Sequence, residues 1–178
     1  MAVTMKSLMI TLGICLVLGG LAGGRMTASA QASQPRDESY QWSAELVAFD
    51  EATRMATVKA MAVGDALKHA GGMKPGEKIM LTWSAYDKYA SAINGVLKYD
   101  AGRKADSRYV LPAEFVSSTT LPDYIAFKVA IPADGVARLK ALKPGQWVTV
   151  TSKQGSHAET QAVTAIRGYN DPEAPASK

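Results

Sequence analysis

Residues 83–89 (WSAYDKY) bring three aromatic side chains together with an acid and a base. Aromatic rings combine a large contact area with a polar tip, and a neighbouring charged pair can orient a ligand by hydrogen bonds. Such a segment can stack on a sugar or grip a peptide. We therefore predict that Trp83, Tyr86, Asp87 and Tyr89 bind a ligand from a loop at the end of a strand. The structural alternative is that Trp83 caps the core and the tyrosines cover its rim.

The residues that usually catalyse reactions or bind metals form no recognisable motif in this chain. There is no nucleophile elbow, no metalloprotease helix and no glycine-rich phosphate loop. The histidines, His69 and His157, have no partner at metal-ligand spacing, and Cys15 lies in an apolar N-terminal run. We predict no catalytic residue, no metal and no cofactor, while serine–histidine catalysis assembled from distant residues stays open.

The elements that must position these residues follow an internal repeat with an offset of 69 residues. Residues 44–47 (AELV) align with 113–116 (AEFV), and residues 74–76 (KPG) align with 143–145 (KPG). Near the end of each copy the offset becomes 70. An internal repeat outweighs other sequence signals because it determines the fold. Residues 83–89 have no aromatic counterpart in the second copy, and this difference makes them the preferred site.

Each copy is predicted to form strand, strand, short helix, strand and strand. Ile125, Phe127, Val129 and Ile131 alternate with smaller or polar residues, which is the period of a strand with one buried face. Both KPG segments end the short helix, since proline cannot continue it. We predict a mainly β, internally duplicated fold, an eight-stranded barrel or sandwich. One domain, residues 41–169, would consist of a repeat at 41–100 and a repeat at 110–169.

The first two strands of each copy are predicted to form a hairpin whose register follows from the apolar pattern. Leu46 then pairs with Val58 on the core face. On the outer face Glu45 pairs with Lys59, and the same pairs recur as Phe115 with Phe127 and Glu114 with Lys128. Opposite charges across strands stabilise by roughly 0.2–1 kcal/mol, so we interpret these acids as structural rather than catalytic.

The second copy resembles a known family in residues 125–129 (IAFKV), 142–148 (LKPGQWV) and 162–166 (AVTAI). This stretch is similar to the second half of small periplasmic OB-fold copper chaperones. The resemblance implies a small β-barrel with a helix between its third and fourth strands. In that family two methionines precede the phenylalanine, whereas this chain has Asp123 and Ile125 at those positions. The resemblance therefore extends to the fold and not to the copper ligands.

The N-terminal residues 1–32 have the pattern of a secretory signal peptide. Lys6 precedes the uncharged run 7–24, and small residues at 28–32 suit cleavage. The alternative is an uncleaved membrane anchor, which would be the protein's sole membrane contact. We predict a periplasmic or secreted protein with a polar leader at 33–40 and a disordered tail at 170–178.

The charge and composition limit the partners that we expect. The formal charge of +4 falls to about +2 once Lys6 and Arg25 are removed with the leader, which gives no footprint for nucleic acid. We expect a monomeric, non-catalytic module of the cell envelope that binds a small ligand, a glycan or a protein partner. The alternative function is an envelope hydrolase without a recognisable motif.

Overall fold

The computed structural model describes residues 39–86, 89–101, 110–153 and 162–172, except for the side chains of residues 85, 86 and 89. The predicted signal peptide at 1–32 lies outside the described residues, as do residues 33–38 of the leader and 173–178 of the tail. No helix in the described part of the chain has the length and apolar character needed to cross a membrane.

Both halves of the described chain follow the predicted order of strand, strand, short helix, strand and strand. Both helices are short, and each contributes buried residues to the apolar core: Ala66 and Ala70 from the first, and Leu139 from the second. The elements are β1 Ser39–Asp50, β2 Met55–Met61, α1 Ala66–Ala70, β3 Lys78–Tyr86, β4 Tyr89–Lys98, β5 Val110–Thr120, β6 Asp123–Ala130, α2 Ala133–Lys140, β7 Trp147–Lys153 and β8 Val163–Gly168.

The eight strands form one sheet, six strands of which close into a barrel. Its order is β2-β6-β5-β3-β4-β1, and β1 returns to pair with β2. Strands β7 and β8 continue the sheet from the other edge of β1. The prediction of a mainly β, eight-stranded fold is confirmed. Because six of the strands form a closed ring, the fold is a barrel and not a sandwich.

The predicted hairpin register is confirmed in both halves. Leu46 pairs with Val58 and Glu45 with Lys59 in the first hairpin, and the same positions pair at the 69-residue offset in the second. The outward carboxylates and ammonium groups meet at 2.9 Å in the first half and 2.7 Å in the second. Inward residues of all these strands, such as Phe127, are buried in a single core.

Strand β1 begins at Ser39 and therefore includes the last two residues of the predicted polar leader at 33–40. Tyr40 is fully buried and its hydroxyl donates a hydrogen bond to the carbonyl of Val110 at 3.1 Å. Gln41 and Trp42 pair with β4 on one edge and with β7 on the other. Because both edges are used, this part of β1 belongs to the interior of the sheet.

The two halves differ in how their fourth strands connect to the rest of the sheet. In the first half the Val63 N–H donates to the Ile93 carbonyl at 2.8 Å, and Ala62 bridges to Ile93. The residue at the position of Val63 in the second half is Pro132, which has no N–H to donate. Among the described residues β8 pairs with β7 alone. Although the order of elements recurs, the origin of the halves by duplication remains a prediction.

Candidate functional site

Trp83, the first residue of the predicted site, lies in the barrel core and not on a loop. Its side chain is 3% exposed, and its ring centroid lies 5.1 Å from that of Trp42 and 6.4 Å from that of Phe127. It shares its buried surroundings with Ile79 and Leu81 of the same strand. Trp83 therefore matches the structural alternative and offers no surface to a ligand.

The rest of the predicted site is only partly described. Tyr86 ends β3 and pairs with Tyr89 at the start of β4, so both residues belong to strands. Asp87 lies outside the described residues, and so do the side chains of both tyrosines. Whether these three residues bind a ligand stays a prediction.

The two buried tryptophans differ in how their indole N–H groups are satisfied. The Trp42 Nε1–H donates to Ser152 Oγ at 2.9 Å, and Ser152 is itself fully buried. Trp83 Nε1 is buried and has no hydrogen-bond partner. Ser152 occupies the second-half position that corresponds to Trp83, so at matched positions one half has a tryptophan without an acceptor and the other has the serine that accepts from Trp42. Trp83 thus contributes packing, at the cost of an unpaired donor.

A surface groove of about 630 Å³ lies where β7 begins and β8 ends. Two large aromatic side chains line it, with Trp147 exposed by 40% and Tyr169 by 54%. Its volume falls within the range of small-molecule sites, roughly 300–1,000 Å³. We call this feature the Trp147 groove. Its lining residues are Ser43, Leu142, Gly145, Gln146, Trp147, Gly168, Tyr169, Asn170 and Asp171.

One wall of the Trp147 groove is the turn that precedes β7. Gly145 adopts a φ of 89°, which glycine tolerates without a side-chain clash, and its N–H donates to the Leu46 carbonyl at 2.8 Å. The Gln146 carbonyl accepts from the Leu46 N–H at 2.8 Å. Trp147 then pairs with Glu45, an outward residue of β1. This register turns the indole of Trp147 to the outer face of the sheet.

The other wall is the turn that follows β8. Asp171 Oδ2 accepts from the Gly168 N–H at 2.9 Å, and the Asp171 N–H donates to the Gly168 carbonyl at 3.0 Å. Arg167 Nη1 donates to the Asp171 carbonyl. A Cβ on residue 168 would lie 2.8 Å from Asp171 Oδ2, so a larger residue there would displace the carboxylate that holds this turn. The predicted tail at 170–178 therefore contains, in Asn170 and Asp171, residues that belong to the fold.

A second and smaller groove lies at the matched place in the first half, on β3, β5 and β6. Its volume is about 220 Å³, and Lys78 and Tyr99 stand where the Trp147 groove has Trp147 and Tyr169. The Lys78 Nζ lies 6.0 Å from the centroid of the Tyr99 ring. Glu114 and Lys128, which form an ion pair at 2.7 Å, also line it. We call it the Lys78 groove.

The pKa shifts resolved among the described residues fall outside the Trp147 groove and belong to turns of the first half. A hydrogen bond from the Thr53 hydroxyl, together with backbone N–H donors, lowers the pKa of Asp50. The backbone N–H of Lys74 lowers the pKa of Glu77. Both shifts stabilise the ionised form and are typical of carboxylates that hold turns.

Metal-ligating residues do not gather in the described part of the chain. No group of three or more His, Cys, Asp or Glu side chains is placed there to hold an ion. His69 is exposed on α1, and His157 lies outside the described residues.

The sequence contains a signal for Trp147 that our predictions did not use. At the 69-residue offset Trp147 aligns with Lys78, and a charged counterpart indicates an outward position. A tryptophan at an outward position is a stronger site candidate than Trp83, which is in phase with Ile79 and Leu81. Comparisons of the chain with protein-family models, with curated proteins and with solved structures find no match.

Proposed function

We propose that this protein is a non-catalytic binding module of the cell envelope that holds its ligand in the Trp147 groove. The observation that carries the proposal is the pair of exposed aromatic side chains, Trp147 and Tyr169, in a groove of about 630 Å³. Pockets that bind small molecules combine mostly apolar walls with a few placed polar groups. Gln146, Asn170 and Asp171 supply those polar groups here.

The chemistry of the groove favours binding over hydrolysis. A hydrolase without a nucleophile motif needs two titratable groups that converge on the substrate. Asp171 is the single acid among the described lining residues, and no histidine, lysine or arginine lines the groove with it. The carboxylates of Glu45, Glu51 and Glu114 are each paired with a lysine elsewhere on the surface.

Export and an OB-like fold complete the proposal. The signal-peptide pattern at 1–32 supports a periplasmic or secreted location. The small closed barrel supports the OB-like assignment, in line with the resemblance to copper-chaperone barrels, although the helix of each half lies between its second and third strands rather than its third and fourth. Fractionation of a Gram-negative host tests the first part, since the exported chain should begin near Gln31 or Ser33. An intact Met1 in the membrane fraction would favour the anchor.

The position of Trp147 provides a direct test of the binding site. The chain has three tryptophans, and Trp42 and Trp83 are buried while Trp147 is exposed. In protein labelled with fluorotryptophan, a ligand in the groove should shift the ¹⁹F resonance of Trp147 and leave the other two unchanged. The panel consists of neutral oligosaccharides, sulfated oligosaccharides, short peptides and nucleotides.

The same panel separates the two functions. We expect a shift of the Trp147 resonance that Tyr169→Ala weakens, with every compound recovered intact. Turnover of a compound that Asp171→Asn abolishes would establish the hydrolase. Shifts confined to Trp42 and Trp83 would move the site away from this groove.

A further inference from the structure

We infer that the ligand of the Trp147 groove is a neutral saccharide, an inference that rests on the proposed function. Three features of the groove point to this ligand: its two aromatic side chains, the charge of its described lining residues, and the backbone hydrogen bonds around them. Each of these narrows the ligand class independently.

The aromatic side chains suit the shape and polarity of a sugar ring. The face of an aromatic ring carries partial negative charge, and the C–H groups on one face of a pyranose carry partial positive charge. Trp147 and Tyr169 present their exposed surfaces to one groove, and their backbones are joined by a hydrogen bond at 2.9 Å. Two rings on neighbouring chain segments can contact successive sugar units.

The charge of the described lining residues disfavours strongly anionic ligands. Among those residues of the Trp147 groove there is no lysine or arginine, and Asp171 is the one that carries a charge. The negative charge of Glu45, the β1 residue that pairs with Trp147, is neutralised by Lys59 at 2.9 Å. The Arg167 guanidinium donates to the Asp171 carbonyl, so an anionic ligand would meet the Asp171 carboxylate without a cation among the described lining residues, whereas the hydroxyl groups of a neutral sugar can donate to it.

The backbone hydrogen bonds around the groove favour a polyol over an extended peptide. A peptide that adds to a sheet needs unpaired N–H and C=O groups along an edge. Here the N–H groups of Gly145, Gln146, Tyr169 and Asp171 already donate to backbone carbonyls, at 2.8 to 3.1 Å. Recognition is left to the side chains, and neutral amide and carboxylate groups pair with hydroxyls.

The Lys78 groove provides the contrast within the same molecule. There a lysine takes the place of Trp147, and its ammonium group lies over Tyr99, which corresponds to Tyr169. The ring face that a sugar would contact is thus shared with a cation. The volume of that groove, about 220 Å³, is also below the usual range for small ligands. Trp147→Lys therefore introduces the side chain of a matched groove that lacks the aromatic pair.

The test is a titration of the exported protein with neutral oligosaccharides of two to six units built from glucose, N-acetylglucosamine or galactose. Binding is followed by the ¹⁹F resonance of Trp147 and by calorimetry. We expect at least one series to bind and to be insensitive to salt, because no ionic contact is involved. Trp147→Lys should lower the affinity about tenfold or more, equivalent to about 1.4 kcal/mol. Trp147→Phe, which keeps a ring, should retain most of it, and Lys78→Ala should leave it unchanged.

The controls make failure of this inference distinct from failure of the proposed function. A proline-rich decapeptide that shifts Trp147 when no saccharide does would overturn the saccharide and leave the binding function standing. Tighter, salt-dependent binding of a sulfated oligosaccharide of equal length would do the same. If no compound shifts Trp147, or if Trp147→Lys binds a saccharide as well as the native chain, both the saccharide inference and the proposed site are wrong.

Discussion

The Trp147 groove and the Lys78 groove occupy matched places on the two halves of one sheet, yet they differ in what they offer a ligand. Their strands share a register, and both contain a tyrosine after the fourth strand. One groove pairs that tyrosine with an exposed tryptophan, and the other pairs it with a lysine. The shared residues build the sheet, and the residues that differ are the ones to which we assign ligand binding.

The largest effect should come from the core position where the two halves meet. Phe127 pairs with Val58, the residue that corresponds to it at the 69-residue offset. Phe127→Ala should lower the free energy of unfolding by about 3–5 kcal/mol, and Val58→Ala by about 2 kcal/mol, because fewer buried methylene groups are removed. Denaturant unfolding measures both. The control Lys128→Ala removes an outward, half-buried ion pair and should cost less than about 1 kcal/mol. An equal loss would disprove the assignment of inner and outer faces.

A smaller change in the free energy of unfolding should distinguish a substitution in α2 from the reverse substitution in α1. A Cβ on Gly135 of α2 would lie 2.9 Å from Cγ2 of both Ile131 and Ile166. Gly135→Ala should therefore destabilise by about 1–3 kcal/mol, against the usual preference of helices for alanine. Ala66 holds the corresponding place in α1 and is fully buried. The reverse change Ala66→Gly should cost about 0.5–1 kcal/mol by chain entropy; a stabilised Gly135→Ala would show that α2 has room to move.

The connection of the fourth strand should respond to a single proline. Val63→Pro reproduces the second-half residue Pro132 and removes the hydrogen bond from Val63 to Ile93. Val63 is exposed by 39%, so little packing is lost, and we expect a cost of about 0.5–1.5 kcal/mol. Hydrogen exchange should become faster in β4 and stay unchanged in β8. Unchanged exchange in β4 would mean that this bond does not hold the strand.

The smallest effect should be a pH dependence of stability that arises from Glu77 in the first half. Glu77 accepts from the Lys74 N–H at 3.1 Å, and at the matched place Gln146 accepts from the Lys143 N–H at 2.7 Å. The pKa of Glu77 is lowered from its ordinary value of 4.5. Its contribution to stability is therefore complete above about pH 4.5 and is lost as the pH falls through the lowered pKa. Thermal unfolding of Glu77→Gln should lose less stability on acidification than the native chain; parallel curves would contradict the assignment.

Much of the fold could be predicted because its signals are local. The alternation around Phe127 and the recurrence of Glu45 with Lys59 determine strands, faces and hairpin register, and all of these are confirmed. The closure of the barrel could not be predicted in this way. It depends on β4 reaching β1 and Ala62, contacts that join distant parts of the chain and leave no periodic pattern.

The candidate site was harder to predict because the number of aromatic residues in a segment does not reveal whether their side chains face the core or the solvent. Trp83 and Trp147 are the same residue type on matched strands, and a one-residue difference in phase separates a buried ring from an exposed one. The second wall of the groove depends on the turn from Gly168 to Asp171, whose hydrogen bonds follow the end of the repeat. Polar residues near a chain end are typical of a frayed tail. For this reason residues 170–178 were predicted to be disordered, and the turn that includes Asn170 and Asp171 was not predicted.

Because the ring of strands is closed, the fourth strands of the two halves, β4 and β8, should differ in their resistance to force. A force applied at Gly168 would peel β8 from β7 one hydrogen bond at a time, because among the described strands β8 has a neighbour on one side only. The same force on β4 would have to break its contacts with β3 and with β1 together. The Trp147 groove lies across the end that peels first. A ligand that contacts both the turn before β7 and the turn after β8 would therefore raise the force needed to begin separating β8 from β7.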